Sequence, residues 1–181
     1  MIKPEELRGL RNASPDYMET EALKAEFRQS RLERTPFFLT GEQLDRVFRW
    51  KLRGQYMRQS ARRARNSEAA YRTVTEAVFK VVGPEFEYEC ALRLGLLSAL
   101  PGLGIPVASA VLALTEPQQY CVVDRLGWRA VFGEKRESFA IADYLRYRAE
   151  VSRLAAELGW SVQETDLAIW EYERRRSLRS T

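Results

Sequence analysis

The 181 residues of this chain are 45% hydrophobic, which is enough apolar material for a buried core in one compact domain or two small lobes. Lysine and arginine number 29 against 25 for aspartate and glutamate, so the net charge of +4 permits an acidic partner without requiring one. The sequence contains no histidine. This excludes imidazole base catalysis, histidine-ligated metals, and Ser-His or Cys-His nucleophile pairs.

The N-terminal segment is charged, unlike a secretion signal. The longest apolar run, Leu94 to Leu114, is interrupted by two prolines and two glycines, so we expect no membrane span. Cys90 and Cys121 lie far apart in apolar surroundings, which favours reduced, buried thiols over a disulfide. These features predict a cytoplasmic protein.

Apolar residues recur at helical spacing along almost the whole chain, which predicts an all-α, compact helical bundle of about eight to ten helices. Residues 37–181 are expected to form the main domain. The polar residues 1–36 are expected either to pack as a helical extension or to remain partly mobile.

Start and stop signals predict the individual helices in chain order. Side-chain caps indicate the starts, and glycine or proline indicates the ends. The predicted helices run from a Thr40–Gln43 capping box to about Leu52 before Gly54, from Asn66 or Ser67 to Gly83-Pro84, from Phe86 to Ala99, from Pro106 to about Thr115, from Asp124 through Val131, from Phe139 to Leu158 before Gly159, and from a Ser161–Glu164 capping box onwards.

A sharp helix reversal is predicted at Leu100 to Ala108, where two glycines lie between two apolar helices. Glycine permits a positive φ and lets backbone amides approach another surface closely. The second helix begins with unpaired N–H groups, which can bind phosphate oxygen without reading base sequence. A plain helical hairpin without a ligand would need the same glycines, so the pattern alone leaves both interpretations open.

The residues around this reversal resemble the helix-hairpin-helix DNA glycosylase superfamily over about Glu87 to Gly133. The matching residues, in the order and spacing of the family, are Leu100, Pro101, Gly102, Leu103, Gly104, Ala108, Pro117, Tyr120, Val122, Val123, Asp124 and Arg129. The resemblance implies the glycosylase type of all-α fold, double-stranded DNA as partner, and an aspartate, Asp124, that works on a nucleotide flipped out of the duplex.

The same resemblance implies two roles for the hairpin. The residues implied to hold DNA phosphates are Gly102, Leu103, Gly104, Ile105 and Val107. The carbonyls implied to hold a K⁺ or Na⁺ ion are those of Ser98, Leu100 and Leu103.

A second resemblance, over about Phe37 to Tyr172, is to a prokaryotic group of helix-hairpin-helix proteins that lacks the catalytic lysine and has no established activity. It implies a common fold and no particular reaction. The segments that carry it are Phe38-Leu39-Thr40, Arg49-Trp50-Lys51, Asn66-Ser67, and the spaced residues Asp166, Ala168, Trp170 and Tyr172.

The chain departs from the catalytic pattern of the glycosylases at two points. Bifunctional members carry a lysine after the second hairpin glycine, and here the matching residue is Pro106, which has no amine to form a Schiff base. The iron–sulfur loop of some members needs four cysteines, and this sequence has two. We therefore expect neither lyase chemistry through residue 106 nor an iron–sulfur cluster.

Asp124 is the candidate catalytic residue. Cleavage of an N-glycosidic bond builds positive charge on the sugar, which a nearby carboxylate stabilises while it aligns a water. The alternative is that Asp124 only caps the helix that begins at Arg125.

A flipped base also needs a pocket, and the candidates for it are Trp50, Lys51, Tyr56 and Trp128. Large aromatic residues at helical spacing are more often part of the core. The arginines at positions 58, 62, 63 and 65 either follow a phosphate backbone or form a solvated helix face.

Two functions follow as hypotheses, and a third possibility is that the scaffold binds no nucleic acid, as the modest net charge permits. The first is a monofunctional, lysine-free DNA glycosylase that hydrolyses the bond to a modified base with water activated by Asp124. The second is a non-catalytic module that binds DNA or a protein partner on the same scaffold, as the loss of the lysine at Pro106 suggests.

Overall fold

A computed structural model describes residues 2–179, and all of the regular structure in this range is helical. The predicted all-α fold is confirmed. In chain order the helices are α1 (Pro4–Leu7), α2 (Tyr17–Glu33), α3 (Gly41–Leu52), α4 (Ser60–Arg63), α5 (Glu68–Lys80), α6 (Phe86–Ser98), α7 (Ile105–Thr115), α8 (Arg125–Phe132), α9 (Ile141–Leu158) and α10 (Val162–Arg179), with 3₁₀ helices at Arg8–Leu10 and Arg53–Gln59.

Local sequence signals set most of the helix starts. The hydroxyl of Thr40 accepts a hydrogen bond from the Gln43 backbone N–H at 3.2 Å, and the Gln43 side chain accepts one from the Thr40 N–H at 3.1 Å. The predicted capping box therefore opens α3. Ser67 caps α5, and Ser161 with Glu164 forms the second predicted box at the start of α10. Each cap satisfies an N–H group that has no partner inside its helix.

One stop signal and one helix end differ from the prediction. Helix α3 ends at Leu52 as expected, but the residue that adopts a positive φ, 46°, is Arg53 and not Gly54. Helix α5 ends at Lys80, because Val81 is already extended, three residues before the predicted stop at Gly83.

Helix α7 lies at the centre of the molecule. Every residue from Val107 to Leu114 is buried, and the helix packs against α2, α3, α6 and α9. A helix enclosed on all sides must be apolar on all sides, as this segment is.

The N-terminal residues belong to the same core. Leu7, Leu23 and Phe27 are buried within the cluster that includes the residues of α7, and α2 packs directly on α7. The Trp50 indole N–H donates a hydrogen bond of 3.1 Å to the Thr20 hydroxyl, which joins α3 to α2. Of the two expectations for residues 1–36, the structure shows the packed helical extension over its described part.

Cys90 and Cys121 are buried free thiols, as predicted. Burial raises the pKa of the Cys90 thiol to about 12. Within residues 2–179, no helix combines the length and apolar character needed to cross a lipid bilayer.

Candidate active site

An open cleft of about 640 Å³ lies where the ends of several helices meet. It is lined by the end of α3 and the 3₁₀ helix after it, the starts of α7, α8 and α10, and the loop before α9. Its volume is within the range of pockets that enclose small organic ligands. The cationic residues of its lining are Lys51, Arg53, Arg58 and Arg125.

Asp124 both caps α8 and lines this cleft. Its Oδ1 accepts the Gly127 backbone N–H at 2.8 Å, which confirms the predicted cap. Its Oδ2 lies 3.1 Å from the ammonium of Lys51, and the Asp124 side chain is 25% exposed. The cap therefore occupies one oxygen of the carboxylate and Lys51 the other, while the side chain stays partly exposed in the cleft.

Lys51 lies in the last turn of α3, and its side chain is only 10% exposed. The ammonium reaches into the cleft and pairs with Asp124, so the cleft contains an amine although Pro106 carries none. Pro106 lines the same cleft.

Asp166 is a further carboxylate of the cleft, which Asp16 and Glu137 also line, and the sequence analysis did not select it as a site residue. It lies in the second turn of α10 and is 5% exposed. Its Oδ2 accepts the Val122 backbone N–H at 2.9 Å, and its Oδ1 accepts the Tyr147 hydroxyl at 2.6 Å. Burial raises the pKa of Asp166 to about 7, with a smaller contribution in the same direction from the Asp124 carboxylate and an opposing effect of the Tyr147 hydrogen bond.

The sequence held one signal for this residue, since Asp166 opens one of the segments that carry the second resemblance. Its spacing in α10 is that of a core-facing residue, which agrees with its burial, but its proximity to Asp124 could not be read from the sequence.

Gly127 makes room for Tyr147 beneath the start of α8. A Cβ at position 127 would overlap the hydroxyl oxygen of Tyr147 and lie 3.0 Å from its Cζ. Tyr147 is completely buried, so its ring has no free space into which it could withdraw. The glycine thus lets Tyr147 reach Asp166 directly behind the cap that holds Asp124.

Arg53 follows α3 with a strained backbone, since a φ of 46° disfavours any residue other than glycine. Its guanidinium pairs with Asp16 and lies 5.4 Å from the centre of the Trp170 ring. Burial lowers the pKa of Arg53, and the nearby Asp124 carboxylate opposes this effect. The strained residue thus places a cation at the edge of the cleft.

The four candidates for a base pocket separate in the structure. Trp50 and Lys51 line the cleft, and Trp170 and Phe139 line it with them. Trp128 is completely buried against Phe132 and Phe139, so the prediction that it stacks on a base is wrong. Its helical spacing reflected core packing.

Tyr56 is also outside the cleft. It lines a separate cavity of about 310 Å³ together with Arg63, where its hydroxyl donates a hydrogen bond to Asp45. The guanidinium of Arg63 lies 4.5 Å from the Tyr56 ring. The role of Tyr56 in the predicted base pocket is therefore corrected to a contact within this second cavity.

The hairpin has the predicted reversal, with Gly102 at a φ of 87°. It packs partly on its own chain. A Cβ at Gly102 would lie 2.7 Å from the Arg63 Cγ, and Asn66, the alternative cap for α5, instead donates a hydrogen bond of 2.9 Å to the Pro101 carbonyl. One face of the turn is thus covered by residues 62–66.

The predicted phosphate-binding residues of the hairpin are not equivalent. The Leu103 and Val107 N–H groups already donate to the carbonyls of Leu100 and Gly104, and both side chains are buried. Gly104 is exposed and Ile105 is half-buried, and neither N–H donates a hydrogen bond within residues 2–179. The Gly102 N–H also donates no hydrogen bond within residues 2–179, so the amides left for a phosphate are those of Gly102, Gly104 and Ile105. The prediction that Leu103 and Val107 hold a phosphate is corrected, because their amides are already paired and their side chains are buried.

Two groups at the hairpin site predicted to bind K⁺ or Na⁺ have unused hydrogen-bonding capacity. The Ser98 hydroxyl is buried and makes no hydrogen bond to the described part of the chain. The Leu100 carbonyl accepts the Leu103 N–H at 3.1 Å, which leaves it a second lone pair. Binding of a cation by these groups therefore stays a prediction. No group of three or more cysteine, aspartate or glutamate side chains within residues 2–179 is arranged to hold a metal.

The arginines at positions 58, 62, 63 and 65 also differ in their exposure. Arg63 is buried between the rings of Phe48 and Tyr56, while Arg58, Arg62 and Arg65 are exposed. Arg62 lies beside the hairpin, since a Cβ at Gly102 would be 3.6 Å from the Arg62 Cβ. Arg58 lines the cleft itself.

Comparisons of this chain with protein-family models, with curated proteins and with solved structures found no match in any of the three.

Proposed function

We propose that this chain is a monofunctional DNA glycosylase-like hydrolase of the helix-hairpin-helix type, which releases a modified base from double-stranded DNA by attack of water at C1′. The observation that supports this most directly is the meeting of two carboxylates, Asp124 and Asp166, in one cleft beside the start of α7. Most enzymes that hydrolyse a glycosidic bond use a pair of carboxylates.

Asp124 is assigned the role of stabilising the sugar cation and accepting a proton from water. Its Oδ1 is fixed by the Gly127 N–H, which orients the carboxylate, and its Oδ2 faces Lys51. The ammonium of Lys51 lies 3.1 Å from this second oxygen. A carboxylate held in a fixed orientation can stabilise positive charge as soon as it develops at C1′.

The DNA backbone is assigned to the surface beside the cleft. The free amides of Gly104 and Ile105 are placed against a phosphate, as helix N-termini commonly are. Arg62 beside the hairpin and Arg58 in the cleft supply positive charge on the same side. A K⁺ or Na⁺ ion on the carbonyls of Ser98, Leu100 and Leu103 belongs to this assignment.

The aromatic lining of the cleft is assigned to the flipped base. Trp50 and Trp170 come from α3 and α10, which are far apart in sequence, and both line the cleft with Lys51 and Asp166. All four residues belong to segments that carry the resemblance to the prokaryotic group. A base removed from the stack needs such planar contacts to replace the stacking it loses. This reaction on chromosomal DNA would place the protein in the cytoplasm.

The first test is Asp124→Asn. Asparagine retains an oxygen that can accept the Gly127 N–H, so α8 remains capped while the negative charge is lost. We expect base release to fall by about 100-fold or more under single-turnover conditions. The measurement is release of free base, by liquid chromatography and mass spectrometry, from duplexes that each carry one modified base.

Asp143→Asn is the matched control, because Asp143 accepts the Ala140 N–H at the start of α9 and does not line the cleft. Its rate should equal that of the unaltered protein. Equal rates for Asp124→Asn and Asp143→Asn would refute the assignment of Asp124.

Lys51 provides a second test, since its amine lies in the cleft. Water attack leaves no covalent intermediate, so borohydride added during base release should trap no protein–DNA complex. A trapped complex that disappears in Lys51→Arg would show imine chemistry and overturn the monofunctional assignment.

A second candidate is a non-catalytic module that binds DNA or a protein, and one observation favours it. Both oxygens of Asp124 are already hydrogen-bonded, one to a helix N–H and the other to Lys51. Salt-sensitive binding of undamaged duplex without release of any base would select a DNA-binding module over the hydrolase. Absence of duplex binding even at low salt would leave a protein partner.

A further inference from the structure

Asp166 has the surroundings of a group that stores a proton. It lines the cleft although it is 5% exposed, so its carboxyl group is largely enclosed by protein at the wall of the ligand space. Two donors, the Val122 N–H and the Tyr147 hydroxyl, fix its orientation. Asp124, by contrast, has a lysine ammonium 3.1 Å away and a side chain that is 25% exposed.

The charged and titratable groups that face Asp166 come from α9, α3 and the segment between α7 and α8. They are Tyr147 of α9, Asp124 before α8, Lys51 of α3, and Cys121 in the segment before Asp124. Burial and the negative charge of Asp124 favour the neutral acid, whereas Lys51 and the Tyr147 hydrogen bond favour the carboxylate. The balance raises the pKa of Asp166 to about 7, so a substantial fraction of this carboxyl group still carries its proton near neutral pH.

Resting on the proposed function, we infer that Asp166 donates a proton to the departing base and that the substrate is therefore a base that is uncharged while attached to the sugar. An uncharged base leaves as an anion unless a proton reaches it, and an acid in the cleft removes this barrier. An N-alkylated cationic base leaves as a neutral molecule and needs no such donor.

The reaction balances without a further reactant. The bond from C1′ to the base nitrogen breaks, its electron pair goes to the base, and the base takes the proton of Asp166. Water forms the new bond to C1′ and gives a proton to Asp124. Transfer of that proton through solvent from Asp124 to Asp166 restores the starting state, and the net change is addition of one water.

The experiment follows the pH dependence of single-turnover release from duplexes that carry uracil, hypoxanthine, 8-oxoguanine or cationic 7-methylguanine. For an uncharged base we expect the rate to fall as the pH rises through about 7, because Asp166 loses its proton there. Asp166→Asn should slow release by about 100-fold or more and remove this fall. Tyr147→Phe keeps the carboxyl group but loses a hydrogen bond to the ionised form, so the fall should move to higher pH.

The protonation state is measured independently of activity. The infrared absorption of a neutral carboxylic acid should be present at pH 6, disappear by pH 9, and be absent from folded Asp166→Asn. An active protein with a flat pH profile, or an ionised Asp166 at pH 6, overturns the inference while the proposed function stands. Release of 7-methylguanine alone overturns the substrate class, and an unaltered protein that releases none of the four bases refutes the proposed function as well.

Discussion

The free energy of unfolding should fall as the pH rises from about 4 to 7, and replacing Asp166 by asparagine should remove this fall. In the folded protein the pKa of Asp166 is raised to about 7, whereas the unperturbed value is 3.8. Between these two values the folded chain holds the proton and the unfolded chain has released it. Folding therefore takes up a proton, and the free energy of unfolding falls as the pH rises through this interval.

The magnitude follows from the difference of about three pKa units, which corresponds to roughly 4 kcal/mol. This is a large part of the 5–15 kcal/mol that is typical of a domain. The asparagine side chain cannot ionise, so the difference in stability between Asp166→Asn and the unaltered protein should change by about this amount in favour of the variant between pH 4 and pH 8. Carboxylates that do not interact with Asp166 contribute equally to both proteins and cancel.

Urea unfolding followed by tryptophan fluorescence and circular dichroism, at half-unit steps of pH, measures this difference. Tyr147→Phe is the control that retains the acid, and it should extend the decline to higher pH because the ionised carboxylate loses a donor. A stability difference between Asp166→Asn and the unaltered protein that stays constant from pH 4 to pH 8 would show that Asp166 titrates normally and would refute this reasoning.

Three further outcomes are expected. Gly127→Ala should lower the free energy of unfolding by about 2 kcal/mol, although alanine has the better helix propensity. The loss should be much smaller in a Tyr147→Phe background, because the overlap is with the Tyr147 hydroxyl. Additive losses in this double-mutant cycle would contradict the contact. Arg53→Gly should be more stable in urea than Arg53→Ala by about 1 kcal/mol, since both lose the side chain but only glycine relieves the positive φ; equal stability would argue against backbone strain. If the chain binds duplex DNA as proposed, Arg62→Gln should weaken binding equally across DNA sequences. In fluorescence anisotropy titrations, the slope of the logarithm of the binding constant against the logarithm of the salt concentration should fall by about one. An unchanged slope would place Arg62 outside the interface.

Most of the helices after residue 36, and their starts, could be predicted because they depend on neighbours in sequence. A capping box joins residues three apart, so Thr40–Gln43 and Ser161–Glu164 are recognisable from the sequence alone. The expected helix stop at Gly54 rested on residue type, yet the positive φ falls on Arg53, where the pairing with Asp16 and the contact with Trp170 oppose the local preference.

The candidate site could be predicted in part for the same reason. Asp124 follows from the spacing of a continuous segment, and Trp50 with Lys51 follows from a short motif. The assignment of Trp128 was wrong because a stripe of aromatic residues at helical spacing looks the same whether it faces a core or a cleft.

The sequence by itself determined the all-α class, the capped helix starts and the glycine turn of the hairpin, because helix and turn signals depend on residues a few positions apart. Composition alone determined the absence of histidine and of a lysine at position 106. Only the tertiary structure decided that Lys51 would lie 3.1 Å from Asp124 and that Asp166 would be buried beside Tyr147 in the same cleft. These residues come from α3, α9, α10 and the segment before α8, and packing of distant helices, which no local pattern encodes, sets both their separation and their protonation.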